Sequence, residues 1–208
     1  MLENYTSFMD RANIFFGRED VIKVSLAYKM AKFHHRWQTR KEIDEETGKP
    51  KRYFEHVRQT ALIVLDELAI PLPELVIGSL LHDLYEDTIV NIEEIEFIFG
   101  REVCLMIKLM SKKPKDGFHK RLVDFADWKV LTVKGCDRLQ NLRSMQGVSQ
   151  EFITKQVNET RGMYYPLMDL LVEKTSISAP TYLNNVKKLR DKIRDVNESL
   201  IEYYNQRG

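Results

Sequence analysis

Leu75-Val76-Ile77-Gly78-Ser79-Leu80-Leu81-His82-Asp83-Leu84-Tyr85-Glu86-Asp87-Thr88 decides the fold, because an apolar stretch with helical spacing runs straight into a cluster of ligand-type and acidic residues. Leu75, Val76, Leu80 and Leu84 recur at helical spacing, the stripe of a helix with one face in a core. Immediately upstream Val57, Ala61, Val64, Leu65 and Leu68 form a second such stripe. Strand-like alternation is scarce along the rest of the chain. Breaks fall at Gly48-Lys49-Pro50, Pro71-Leu72-Pro73, Lys112 to Gly117, Gly147 and Ser178-Ala179-Pro180. They divide the chain into about eight or nine helices of roughly 10 to 25 residues. The expected fold class is all-α. Residues 41–52 are charged, hold Gly48 and Pro50 and carry no apolar period, so they are expected to form an exposed loop.

A chain of 208 residues suffices for one globular domain with a sizeable core. Its formal net charge of +1 gives no global field that would draw it onto nucleic acid or an anionic membrane, so local cations must meet any anionic ligand. Cys104 and Cys136 make neither a CxxC pair nor a disulfide framework, which points to a reducing compartment and a cytoplasmic protein. The start, Met1-Leu2-Glu3-Asn4, has no export signal, and no apolar run approaches the roughly 20 residues that span a bilayer. Residues 1–175 are expected to form the main domain and 176–208 a C-terminal helix. Between Thr181 and Arg207, Val186, Leu189, Ile193, Val196, Leu200 and Tyr203 follow a heptad seam. Packing on its own domain is the expected use of that seam; pairing two copies in a homodimer is the alternative.

Adjacent His82 and Asp83 cannot both face a core. On a helix they point about 100° apart and can reach one cation from a shared wall if other helices supply further ligands. His56 and Asp137 are the candidates, since each lies in a periodic apolar stretch where an unpaired polar group would cost about 1–3 kcal/mol or more. A lone histidine on an apolar helix is usually a hydrogen-bonded core residue. The ordered set His56, His82-Asp83 and Asp137, with Glu86 and Asp87 one turn beyond the dipeptide, is what favours a metal. Glu86 and Asp87 lie three and four residues past Asp83, over the same helix face, where they could orient water or transfer a proton. Two imidazoles and two carboxylates suit Mn²⁺, Fe²⁺, Zn²⁺ or Mg²⁺ and do not select among them.

Four blocks then carry a family resemblance: His35-Arg36-Trp37-Gln38-Thr39-Arg40-Lys41 with Tyr53-Phe54-Glu55-His56; His82 to Thr88 followed by Phe99-Gly100-Arg101-Glu102-Val103; Asp137-Arg138-Leu139-Gln140-Asn141-Leu142-Arg143; and Glu159-Thr160 with Tyr164-Tyr165-Pro166-Leu167. Over roughly residues 20 to 170 the chain resembles the hydrolase (HD) domain of RelA/SpoT homologues, and most closely the stand-alone small alarmone hydrolases. It departs from them in the longer stretch between Lys41 and Tyr53, in Gln140 where the family often has His, and in a short segment from Lys112 to Asp124. The resemblance implies an HD-domain helical bundle holding one divalent ion, taken to be Mn²⁺. Binuclear relatives use further histidines between the dipeptide and the last Asp, where this chain offers only His119.

The implied reaction is hydrolysis of the 3′-pyrophosphate of (p)ppGpp to GDP or GTP and pyrophosphate, with Glu86 and Asp87 as the catalytic pair. By the same resemblance Arg40 would lie against the guanine face, Lys41 and Asn141 would approach base and sugar, and Lys134, Arg138 and Arg143 would supply local positive charge. Arg138 could serve a structural ion pair instead, and Ser144 and Met145 are candidates by position alone. Other phosphorylated nucleotides (ppApp, NADPH at its 2′-phosphate, a dNTP or a nucleoside monophosphate) stay open as substrates. So does a nucleotide-sensing module without turnover.

Overall fold

The computed structural model describes residues 4–44, 47–145 and 148–205. Met1 to Glu3, the break at Gly147 and the end of the seam at Arg207 lie outside them. The helices are α1 (Tyr5–Phe15), α2 (Arg18–His34), α3 (Tyr53–Leu62), α4 (Pro73–Leu81), α5 (Leu84–Asp87), α6 (Ile92–Phe99), α7 (Arg101–Met110), α8 (Phe118–Phe125), α9 (Trp128–Arg143), α10 (Gln150–Glu159), α11 (Tyr165–Ser178) and α12 (Leu183–Asn205). The all-α expectation holds. These are more helices than the sequence breaks suggested, partly because Gly100, at φ 88°, turns the chain sharply between α6 and α7.

Residues 41–52 correct the sequence reading. They do not form a loop throughout: β1 (Thr39–Ile43) and β2 (Pro50–Arg52) pair antiparallel as a short hairpin. Its inward face carries Arg40 and Glu42, with Glu42 buried, while Thr39, Lys41 and Ile43 are exposed. A two-residue period made of charged side chains leaves no apolar signature to detect.

Helix α9 is the axis of the bundle. Asp127 caps it by accepting from the Val130 backbone N–H at 2.9 Å, and α3, α4, α7, α11 and α12 pack around it. Even Lys134, Asp137 and Arg138 on this helix are buried. On its far side a β-carbon at Gly135 would fall 2.8 Å from both Leu189 Cδ2 and Met168 Sδ, so the missing side chain sets how closely α11 and α12 approach. Val186, Leu189 and Ile193 are wholly buried in that contact, at about 1.5–3 kcal/mol for each. The first half of the C-terminal seam therefore packs within its own chain and is not open to a second copy, while Val196 and Leu200 are half-buried and Tyr203 is exposed. Among the described residues no helix is long and apolar enough to cross a membrane.

Helix α3 runs on into a π-helical segment, Ile63–Leu68, which ends at Ala69 in the left-handed region, φ 49°. Freed carbonyls at this end are satisfied from α12: Asn185 Nδ2 donates to Leu68 O at 2.6 Å and Lys188 Nζ to Glu67 O at 2.8 Å. The Glu67 carboxylate accepts from Arg143 Nη1 at 2.5 Å and Nη2 at 3.1 Å, and also from Lys192. One side chain thus ties α3, α9 and α12 together.

Hydrogen bonding from Arg143, reinforced by Lys192 against the opposing effect of burial, lowers the Glu67 pKa to about 2 from an ordinary 4.5. A depressed carboxyl pKa stabilises the fold above the ordinary value, and that contribution disappears as pH falls through the folded value. Glu67→Gln is expected to cost on the order of 1 kcal/mol near pH 7 after allowance for solvent screening. In urea denaturation the gap between the two proteins should close as pH is lowered from about 5 towards 2; a gap independent of pH would show that the ion pairs contribute nothing.

Candidate metal centre and active-site cleft

Three elements bring the predicted ligands together. His56 comes from α3 and Asp137 from α9. His82 and Asp83 occupy the break between α4 and α5, where the apolar helix ends. The chain resumes helical bonding at once, with Asp87 N–H donating to Asp83 O at 2.8 Å, so Glu86 and Asp87 do stand one turn beyond the dipeptide.

Both imidazoles turn Nε2 inward. His82 Nδ1 donates to Ser79 O at 2.8 Å, and His56 Nδ1 is hydrogen-bonded to Gln140 Oε1. An amide oxygen and a backbone carbonyl only accept, so each ring carries its proton on Nδ1 and directs the Nε2 lone pair at the centre. His56 Nε2 lies 3.2 Å from Asp137 Oδ1, and His82 Nε2 lies 2.9 Å from Asp83 Oδ2 and 3.6 Å from Asp137 Oδ1. His82 Nε2 is nonetheless buried with no directed hydrogen bond. Facing carboxylate oxygens, that nitrogen is at ease only when it holds a proton or a metal ion, so the spot calls for positive charge. His56, His82 and Asp137 form a group able to hold a metal ion, with Asp83 alongside, and this mixed nitrogen and oxygen set fits a divalent cation.

The charges agree. Burial disfavours a charged His82, but Asp83 and Asp137 outweigh it and push its pKa up to about 10, so the site draws positive charge. Burial likewise opposes ionisation of Asp137, yet Lys134 and the two imidazoles hold its carboxyl well below the usual range. Asp137 Oδ2 accepts from Lys134 Nζ at 3.0 Å and Oδ1 from Asn141 Nδ2 at 2.6 Å. Tyr53 donates its hydroxyl to Asp83 Oδ2 at 2.5 Å and reaches Asp87 Oδ2 at 3.2 Å. Burial and the Asp83 charge raise the phenol's pKa, so it acts as a donor.

A polar cleft opens over this floor. Glu86, Asp87, Arg40, Asn141, Lys134 and Arg138 line it together with His56, Asp83 and Asp137. Burial, with Asp83 and Glu86 nearby, raises the Asp87 pKa, so Asp87 retains a proton more readily than an ordinary aspartate. Glu86 Oε2 instead accepts the Lys112 backbone N–H at 2.7 Å, which fixes its carboxylate.

Not every predicted substrate-binding residue reaches the cleft. Arg138 lines it but is held by Gln156 at 2.8 Å and Glu159 at 3.1 Å, with its guanidinium 3.7 Å from the Tyr164 ring centroid. It thus joins a structural ion pair to a pocket position. Arg143 is tied to Glu67, and Lys41 is exposed with Nζ 4.7 Å from the Phe152 ring centroid; neither lines the cleft. Residues whose roles the sequence did not indicate are Tyr53, Glu159 and Tyr164, which stood in the matching blocks, and Lys112, in a loop with no signal. Gln140, noted only as a departure, turns out to orient His56.

Comparisons with known proteins agree with this geometry. A family model described as an HD domain matches residues 27–169. The chain is 34% identical over 155 residues to a GTP pyrophosphokinase of Streptomyces coelicolor, covering 70% of this chain and 17% of that protein. It is 33% identical over 154 residues to the guanosine-3′,5′-bis(diphosphate) 3′-pyrophosphohydrolase of Aquifex aeolicus, covering 70% of this chain and 21% of that protein. It therefore spans about a fifth of the length of the curated relatives it matches. A solved structure of a metazoan orthologue of SpoT, described as hydrolysing ppGpp and acting in starvation responses, superposes with a TM-score of 0.55 at 25% identity, covering 89% of this chain and 96% of that one.

His82→Ala and Asp83→Ala should each abolish most binding of a divalent ion by the purified protein, read as metal per chain by elemental analysis. Gln140→Ala, which frees the His56 ring without removing a ligand, should weaken binding by about 10- to 100-fold. Stoichiometric metal in His82→Ala would refute the ligand assignment.

Proposed function

This chain belongs to the HD domain family, and on that basis we propose that it hydrolyses the 3′-pyrophosphate of (p)ppGpp, releasing GDP or GTP and pyrophosphate. The observation that carries the proposal is the convergence of two imidazole Nε2 atoms on Asp83 and Asp137 at the floor of a cleft overhung by Glu86 and Asp87. Support for the substrate comes from the Aquifex and metazoan relatives, whose descriptions name this chemistry.

In this proposal His56, His82, Asp83 and Asp137 hold one Mn²⁺, which when bound supplies Lewis-acid activation of water and of a phosphoryl oxygen. The chain's own groups handle the protons. Glu86, held by the Lys112 N–H, takes a proton from the attacking water. Asp87, which retains a proton more readily than an ordinary aspartate, gives one to the departing O3′ as the bond between phosphorus and O3′ breaks. Tyr53, hydrogen-bonded to Asp83 and within reach of Asp87, keeps the two carboxylates apart and aligned. Arg40 and Asn141 meet the base and sugar, and Lys134 with Arg138 offsets phosphate charge. The free, buried thiols of Cys104 and Cys136 accord with the cytoplasmic location that the proposal includes.

With Mn²⁺ present, ppGpp should yield GDP and pyrophosphate, whereas GDP and GTP, lacking a 3′-phosphoryl group, should be inert. Glu86→Gln and Asp87→Asn should each lower kcat by about a hundredfold or more while bound metal stays nearly unchanged. Faster phosphate release from dGTP than cleavage of ppGpp would overturn the substrate assignment.

A further inference from the structure

Glu42 stands out as a buried carboxylate on an otherwise exposed hairpin, 5% accessible to solvent. Strand alternation puts Arg40 and Glu42 side by side on the inward face of β1, against the C-terminal end of α9. Arg40 Nε donates to Glu42 Oε2 and Arg40 Nη2 to Oε1, both at 3.0 Å, and Ser144 Oγ donates to Oε1 at 3.1 Å. Arg40 Nη2 also reaches Asn141 Oδ1 at 2.8 Å, and Asn141 in turn donates to Asp137. A continuous line of hydrogen bonds thus runs from the hairpin through Glu42, Arg40 and Asn141 to the floor of the metal centre.

A hairpin needs no such buried ion pair for its stability, since removing two charges from water costs about as much as their attraction returns. What a side-on, two-bond pairing does supply is a fixed guanidinium plane. The edge formed by Nε and Nη2 is used up by Glu42, Asn141 and Ser144, which fixes the guanidinium plane at the cleft and leaves its flat face and Nη1 for a ligand.

We propose that Glu42 is a positioning residue that holds Arg40 edge-on to the protein, so that its planar face meets the nucleobase and its charge is not spent as a phosphate clamp. This rests on the nucleotide-hydrolase function proposed above and adds to it a determinant of base binding. The opposite possibility is a latch, in which Glu42 must release Arg40 before a nucleotide enters. The two differ in sign: loss of the Glu42 charge weakens nucleotide binding in the first case and strengthens it in the second.

The experiment compares wild type with Glu42→Gln and Ser144→Ala in two assays, steady-state hydrolysis of ppGpp and calorimetric binding of GDP, which has base and sugar but no 3′-phosphoryl group. Glu42→Gln should raise KM for ppGpp and Kd for GDP together by about tenfold, with kcat within about twofold and bound metal unchanged. Ser144→Ala, which removes one hydrogen bond to the same carboxylate and carries little risk to folding, should move both constants the same way by a smaller factor. Unchanged or tighter GDP binding in both variants would overturn the positioning role. If the wild type fails to cleave ppGpp yet binds GDP more tightly than Glu42→Gln does, the reaction assignment falls and the positioning role stands; no measurable binding of GDP to the wild type overturns both.

Discussion

A carboxylate at the centre of the bundle is the constraint from which the rest of this structure follows. Asp137 lies on a helix walled in on every side, where an uncompensated negative charge would be intolerable. Lys134 answers it from one helical turn away, Asn141 from the next turn on, and two imidazoles face it from α3 and the α4/α5 break. Lys134 and Asn141 hold the carboxylate by donating to it while the two imidazoles turn Nε2 to the same spot, so stabilising Asp137 and preparing a cation site are a single arrangement. Because α3, α4 and α9 also pack on one another through apolar side chains, the geometry of the site is inherited from the core and not from flexible loops.

Around that rigid floor the walls are built from less regular pieces. Helix α5, one turn long, presents Glu86 and Asp87, the loop after α7 fixes Glu86 through a backbone N–H, and the hairpin delivers Arg40. Each wall is linked to a neighbour: Gln38, just before β1, donates to the Asp87 carbonyl at 2.7 Å, and Arg121 on α8 donates to Asp116 O and Pro114 O in the loop, each at 2.7 Å. Cleft-lining groups are therefore braced even where regular helix is absent.

How much of this could be read from the residues depended on which signal each part carries. The helical stripes of Leu75 to Leu84 and Val186 to Ile193 were legible because burial imposes a period. His56, His82, Asp83 and Asp137 were legible because ligand-type residues in apolar surroundings demand an explanation, and their order matches a known family. The hairpin was not, since its inward residues Arg40 and Glu42 are charged and satisfy each other across two positions, a pairing that apolar periodicity does not register. Lys41 and Arg143 show a further limit. Both lie inside matching blocks, but a strand sends alternate side chains to opposite faces, and the last turn of α9 faces Glu67. Sequence position alone did not say which way either would point.

Gly135 gives the central helix an asymmetry with a bearing on how such a protein can diversify. One side of α9 carries Lys134, Asp137, Arg138 and Asn141 toward the cleft, while the opposite side is packed so closely that one added carbon would displace both Leu189 and Met168. Adjusting the cleft by rotating or sliding this helix would disturb contacts on its back that are already full. New substrate preferences are then far cheaper to reach through insertions and exchanges in the hairpin at 39–52 and the loop at 111–117. The departures in length noted between Lys41 and Tyr53, and between Lys112 and Asp124, fall in just those segments. Slack in this architecture lies in those surface segments, around a helix that has none.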